Sequence, residues 1–166
     1  YRDIFVAVVG PDVLVRGTPA YNAASWIIFD DPRALDTQDT QLTQRFLLAL
    51  FWHITTNSGE RPWRSCNPPQ EGEDDTCEFL RFTRLNNDDV AYVPEPATRW
   101  LSGSHECEWV GNLCDDVEIT RALDLWGQNI TGTLPTELTS FPFLQSISLI
   151  YNEFTGVLPV EYARMK

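Results

Sequence analysis

The sequence predicts an α+β fold in three parts: an α-helical head over residues 1–60, a disulfide-stapled segment with an acidic insert over 61–118, and a short repeat solenoid over 119–166. Three observations predict it. Apolar residues recur at helical spacing between Thr40 and Thr56. Four cysteines fall into two local pairs. The stretch QNITGTLPTEL, from Gln128, is nearly copied as NEFTGVLPVEY from Asn152.

The head begins with two helical pieces. RDIFVAVVG is a short apolar run ended by Gly10-Pro11. Thr18 is a suitable N-cap for the second piece, with Pro19 at the first helical position, where a missing N–H costs nothing. Asp31-Pro32 breaks that piece. The third helix is the longest, from Thr40 to Thr56, with an acidic or hydroxyl start at Asp39 or Thr40. Leu42, Phe46, Ala49, Leu50 and His53 keep helical spacing, and Leu47, Leu48, Phe51 and Ile54 widen the apolar face nearly all round. Such a helix needs cover from other elements. Asn57-Ser58-Gly59 stops it.

From Glu60 to Asp116 the chain reads as irregular. It holds Trp63, the acidic tract EGEDD, the apolar-polar run CEFLRFTRL and the turn NNDD. Cys66 and Cys77 bound one short loop; Cys107 and Cys114 bound another. Neither pair has the Cys-x-x-Cys spacing of a zinc or redox site, and two short disulfide loops fit better. Disulfides place the chain in an oxidising, extracellular compartment. The sequon at Asn129, completed by Thr131, agrees and predicts a glycan there. A second, rarer kind of acceptor at Asn112 is discounted because Cys114 is expected to be bridged.

The repeat follows. Leu123 and Ile147 lie 24 residues apart, as do Leu125 and Leu149, Ile130 and Phe154, Gly132 and Gly156, Leu134 and Leu158, and Pro135 and Pro159. A period between 20 and 29 with L-x-L-x-x-N spacing is the leucine-rich-repeat pattern. Leu123 and Leu125 point inward from a short parallel strand. Asn152 bonds backbone along its turn, and the longer amide Gln128 holds that place in the first copy. Gly132 and Gly156 permit the bend; Pro135 and Pro159 end strand pairing. The alternate positions form a concave strip: Ala122, Asp124, Trp126 and Gly127, then Ser146, Ser148, Ile150 and Tyr151. Asp124, Trp126, Ser148, Ile150 and Tyr151 are the candidate binding residues, since exposed aromatics often mark contacts with a partner or glycan.

Composition sets limits. The 166 residues are 43% hydrophobic and 22% charged, with a formal net charge of −12. An acidic chain repels phosphate backbones, which excludes nucleic acid as a partner. No apolar stretch approaches the roughly 18 residues of a membrane span; FLLALFW, Phe46 to Trp52, is the longest. The start YRDIFVAVVG lacks a basic leader and a cleavage site, as expected of a processed, mature chain.

These residues carry a resemblance. LDLWGQNITGTLPTELTSFPFLQSISLIYNEFTGVLPVEY resembles the plant-type extracellular leucine-rich repeat, and WLSGSHECEWVGNLCDD the Cys-x-W-x-G-x-x-C cap that precedes such repeats. TPAYNAASWIIFDDP and QRFLLALFWHITTNSGERPW are similar to the helical head of secreted leucine-rich-repeat proteins of diatoms and related algae. The resemblance implies a helical head and a disulfide-stapled cap leading into a short, right-handed leucine-rich-repeat solenoid. With the local spacing, it pairs Cys107 with Cys114 and Cys66 with Cys77. Two repeats, the second stopping before its closing leucines, are fewer than the three usually needed, so a fragment, a trimmed product or the ordered part of something longer is expected.

Catalysis is not expected. His53 reads as a core imidazole. His105 with Ser102 and Ser104 has no preset nucleophile–base geometry, and the cap explains that segment. Glu71, Glu73, Asp74, Asp75, Asp88 and Asp89 read as a solvated acidic loop; no calcium-loop motif, metal site or cofactor site is present. The expected function is a secreted, glycosylated, non-enzymatic module. It recognises a protein or glycan, or self-associates as a building block of a sheath, filament or cell wall. The alternatives are an ectodomain fragment of a leucine-rich-repeat receptor-like protein and, less favoured, a glycan hydrolase, which needs two carboxylates at a set separation.

Overall fold

The computed structural model describes residues 1–84 and 90–164. The expected NNDD turn, with Asp88 and Asp89, lies outside the described residues.

Helix α1 spans Arg2–Val9 and is followed by a 3₁₀ turn at Pro11–Leu14. Helix α2 spans Pro19–Ser25, and the Thr18 hydroxyl accepts the Tyr21 amide as its N-cap. A π-turn at Trp26–Asp30 continues it. Helix α3 spans Leu42–Thr55. Its cap position is Gln41 rather than the expected Asp39 or Thr40, although Asp39 contributes by accepting the Gln41 amide at 2.8 Å. Asn57, Ser58 and Gly59 all take positive φ at its end, and the Ser58 amide closes on His53 O at 2.7 Å.

The stretch expected to be irregular contains a hairpin. Strands β1, Thr76–Arg84, and β2, Val90–Thr98, pair antiparallel over nine residues each. Pro94 and Pro96 argue against a strand in sequence. They are tolerated because β2 is an edge strand of a two-stranded sheet, where a missing donor faces no partner. After a 3₁₀ turn at Glu106–Glu108 come β3, Asn112–Cys114; β4, Thr120–Asp124; β5, Thr131–Gly132; β6, Ser146–Ser148; and β7, Glu153–Phe154. Further 3₁₀ turns lie at Thr136–Ser140 and Val160–Arg164.

The expected α+β solenoid is corrected by this topology. The described residues form a small mixed α/β structure with three α-helices and three small sheets. The hairpin is antiparallel, β3-β4-β6 is mixed, and only β5-β7 is wholly parallel. A solenoid requires parallel coil after coil. Here the 24-residue step is taken once, pairing Leu123 with Ile147, and β3 runs antiparallel on the other side of β4.

One apolar cluster runs through the chain. It joins Phe5, Phe46 and Phe51 of the helices to Trp63, Trp100 and Trp109, and on to Leu123, Leu125, Ile130 and Leu138. Helix α3 buries residues on nearly every side, including Gln44 and Arg45. Phe5 stacks on Phe46 with ring centroids 4.2 Å apart, and Trp63 meets Trp100 edge-on at 4.8 Å. Disulfides join Cys66 to Cys77 and Cys107 to Cys114.

Candidate functional site

The parallel pairing of β4 and β6 decides which side chains face outward. Leu123 and Leu125 are fully enclosed, so Asp124 and Trp126, their alternates, lie on the opposite face. The ladder continues past the strands through Leu125 N to Ser148 O and Gly127 N to Ile150 O, both 2.9 Å. Trp126, Ile150 and Tyr151 are exposed, with Tyr151 at 56%. The Trp126 and Tyr151 rings meet edge-on at 6.3 Å, and Trp126 Nε1 donates to Ser148 Oγ. Gly127 and Tyr151, one step apart, both take left-handed φ, at 63° and 58°. Four of the five candidate residues, Trp126, Ser148, Ile150 and Tyr151, thus line one strip, and Asp124 sits at its edge.

The two turn amides divide the work differently. Asn152 Oδ1 accepts Ile130 N at 3.0 Å, and its Nδ2 donates to Leu125 O and Leu149 O. It therefore stitches the second coil to the first. Gln128 Nε2 donates to Trp126 O at 2.9 Å and to Leu80 O of β1 at 3.1 Å, while its Oε1 accepts Ser65 Oγ. The extra methylene reaches the hairpin, which occupies the side where a preceding coil would lie. Arg64 adds its amide to Gln128 O and its Nε to Gly127 O, and its guanidinium lies 4.0 Å over the Tyr92 ring.

The hairpin so held forms a wall beside the strip. A cavity of about 170 Å³ opens between them, lined by Phe79, Arg81, Asp124 and Trp126. Phe79 is largely buried; Arg81 is exposed and paired with Glu95 at 2.7 Å. Asp124 Oδ1 is enclosed and accepts no hydrogen bond among the described residues. Sequence reasoning found Asp124 and Trp126 but missed Phe79 and Arg81. The alternation in CEFLRFTRL, which puts Phe79 and Arg81 on one strand face, was the available signal.

A buried ionic knot lies elsewhere. Arg45 pairs with Asp31 through two contacts of 2.7 Å, reaches Glu106 at 3.2 Å, and donates to Ser102 O and Ser104 O. Its guanidinium sits between Trp109 and Trp26 at 4.6 and 5.2 Å. Gln44 bonds Glu106, Glu118 O and the Thr120 amide. Every arm is engaged, and the knot ties α3 to the segment around the Cys107–Cys114 disulfide.

The other sequence candidates separate. His53 is part-buried on α3, its ring nitrogens have no hydrogen-bond partner among the described residues, and desolvation pushes its pKa down to about 4. His105 Nδ1 caps the 3₁₀ turn by accepting Cys107 N, whereas Ser102 and Ser104 turn to Arg99 O and Asp75. Asp74 accepts the Thr76 hydroxyl and amide, which hold its carboxyl below the usual range. Asp75 binds Gly103 N and Ser104. Among the described residues no group of acidic, histidine or cysteine side chains is placed to hold a metal. Asn129 is exposed, and Asn112 is buried with its amide on Glu106 O.

One parallel step between β4 and β6, amide-bonded turns and two disulfide-closed loops are the features set against known proteins. The chain is similar to the leucine-rich repeat receptor-like serine/threonine-protein kinase SKM1 of Arabidopsis thaliana, 39% identical over 94 residues, covering 49% of this chain and 10% of that protein. It is also similar to Protein MALE DISCOVERER 2 of the same plant, 41% identical over 87 residues and covering 51% and 12%. Protein MALE DISCOVERER 1 matches at 37% over 59 residues, covering 36% and 8%. The chain thus spans about a tenth of the length of the curated relatives it matches. These relatives agree with a plant-type leucine-rich repeat and with a non-enzymatic chain; the likeness to algal proteins has no counterpart among them. No family model and no solved structure matches. The disulfides and the receptor-like relatives are consistent with an extracellular setting. Among the described residues no helix is long and apolar enough to cross a membrane.

Proposed function

We propose that this chain is an extracellular recognition module of the receptor-ectodomain kind, which binds a protein or glycan through the strip of Trp126, Ile150 and Tyr151. The observation that supports this most is the exposure of three large apolar side chains on one face, beside a wall built to stand there. Isolated exposed apolar residues are ordinary, but a contiguous aromatic strip with a rim is the surface that interfaces use.

The test uses the full chain on an array of neutral and acidic oligosaccharides and on a display library of random peptides. Some ligand is retained by the native chain and lost by the Trp126→Ser/Tyr151→Ser double variant, whose circular dichroism is unchanged. A double variant that binds as before contradicts the reading.

A second reading rests on a different surface. Leu134, Ile147, Leu149, Phe154, Leu158 and Tyr162 line an apolar cavity of about 310 Å³ at the far side of the second coil. In the first coil Leu123, Leu125 and Ile130 are enclosed, whereas Ile147, Leu149 and Phe154 are only part-buried. This favours an extracellular assembly in which that face is covered, and sedimentation at graded concentration distinguishes it: a building block grows, a recognition module stays monomeric. A glycan on exposed Asn129 belongs to either reading, and a native mass equal to the bare polypeptide would remove it.

A further inference from the structure

Each coil of the repeat is a template for the other. In the first, Leu123, Leu125, Ile130 and Leu138 are enclosed; one step on, Ile147, Leu149, Phe154 and Tyr162 are only part-buried. The second coil, laid parallel beside the first, closes that flank of it. The second has no such cover among the described residues: β6 is an edge strand of its sheet, and no strand lies beyond β7. Ser148 O and Ile150 O face β4, so strand alternation turns the backbone of Ile147 to the open side. The opposite flank of the repeat is closed. β3 lies against β4, and Gln128 and Arg64 hold the hairpin there. Among the described residues the repeat thus has one open end. We infer that a second copy of this chain covers it, end against end about a two-fold axis, and that the assembly stops at a dimer. The inference rests on the assembly reading above and names its partner and its size.

Three observations choose the occupant. First, β6 reads Ser146-Ile147-Ser148 and keeps a regular register with β4. It carries none of the charges, prolines or bulges that guard the edge of a lone sheet. Antiparallel pairing of β6 with the same strand of a second copy is the arrangement that a two-fold axis permits. Second, the bare apolar surface is wider than one coil covers. Val157 and Val160, 86% and 80% exposed, flank Leu158, which lines the cavity of about 310 Å³ and is itself 67% exposed. The counterparts of the two valines, Thr133 and Thr136, stay exposed although the second coil lies against the first. A further coil of the same kind therefore leaves Val157 and Val160 bare, whereas a whole second copy reaches past the coil edge. An uncharged strand edge joined to an apolar cavity also has the composition of an interface between like subunits, which is more apolar than a transient one. Third, the closed flank limits growth. Head-to-tail contact needs a free surface at each end of the repeat, and the hairpin removes one. An isologous contact uses the same patch on both copies and is satisfied once made. The formal charge of −12 sets the copies apart, so apolar area and backbone pairing carry the contact.

The test is sedimentation equilibrium of the full chain from about 1 μM to about 1 mM, at low and at high salt. A monomer–dimer equilibrium with no larger species is expected, tighter at high salt because screening weakens the repulsion between two acidic copies. Leu158→Asp puts a charge into the contact. Val157→Thr/Val160→Thr installs the residues that stand at the matching places of the first coil. All three positions are exposed, so the fold is kept, and circular dichroism checks it. Each variant weakens the dimer at least about tenfold. Species that keep growing with concentration overturn the two-fold inference and leave an open assembly standing. A monomer at every concentration overturns both. A dimer that neither variant weakens lies on another face, and a dimer that salt loosens is held by ion pairs; either result overturns the inference.

Discussion

The side-chain amide of Gln128 donates to the carbonyl oxygen of Leu80 at 3.1 Å, across 48 residues of sequence. The first coil is thereby sealed against the hairpin and not against another coil. Asn152, its counterpart one step on, bonds Leu125 O, Leu149 O and the Ile130 amide, all within the repeat. The difference between the two repeats is therefore a difference of neighbour, and it places Phe79 and Arg81 beside Trp126.

Shortening that amide tests the seal. Gln128→Asn leaves Leu80 O without its donor and costs about 1 kcal/mol in urea unfolding. Amide hydrogen exchange in β1 speeds up, while exchange in α3 does not. Equal protection of β1 in the variant would show that the hairpin is held by other bonds.

Gly111 is the most constrained glycine of the disulfide-closed cap. Its φ is +77°, and a Cβ there would stand 2.4 Å from the carbonyl oxygen of Asp124 and 2.8 Å from Leu125. Gly111→Ala combines left-handed strain of about 1–2 kcal/mol with a clash against backbone that cannot yield cheaply. A fall of at least about 2 kcal/mol in unfolding free energy is expected, and a neutral substitution would mean that β3 and β4 approach less closely.

The knot at Arg45 is a buried ion pair whose removal leaves charge behind. Arg45→Met strands Asp31 and Glu106 in the interior and costs about 3–5 kcal/mol. Arg45→Lys keeps the charge but loses the two-pronged contact with Asp31, both arms of which are 2.7 Å, so its cost falls in between. If Met and Lys prove equally harmless by thermal melting, the pair is not enclosed.

His53 makes stability fall in acid. Burial lowers its folded pKa to about 4 from the 6.5 of an exposed imidazole. The unfolded chain therefore binds a proton that the folded chain refuses. Stability is whole above about pH 6.5 and declines as pH drops toward 4, by up to about 3 kcal/mol. Asp74 and Asp115, held below 3.8 by hydrogen bonds led by Thr76 and Ile119, add their loss only at lower pH. Urea midpoints between pH 7 and 4.5 separate the two, because His53→Phe flattens the first window and not the second. An unchanged slope in that variant would place the effect elsewhere.

What could be read from the sequence was local or self-similar. Thr18 and Pro19 start α2 because a cap and a fixed φ act within one turn. The 24-residue step was visible because the chain copies itself, and it survives as the pairing of Leu123 with Ile147. Extending it to a solenoid failed because the count of coils depends on what neighbours them. The hairpin was hidden: Pro94 and Pro96 speak against a strand, and only the partner β1 makes β2 one. The burial of Gln44 and Arg45 was not legible in the sequence. Their burial depends on Asp31, Glu106 and Thr120, which sequence spacing does not bring near. The candidate site was half legible for the same reason, since Asp124 and Trp126 lie in the repeat and Phe79 and Arg81 in the hairpin.

The central claim is that the strip beside the hairpin is a recognition surface. The most direct measurement is the affinity of one array-selected ligand for the native chain and for Trp126→Ser/Tyr151→Ser, with folding checked by circular dichroism. Loss of at least about tenfold in affinity at unchanged fold is the expected result, as for paired aromatic anchors at an interface. Equal affinity in the two proteins would contradict it.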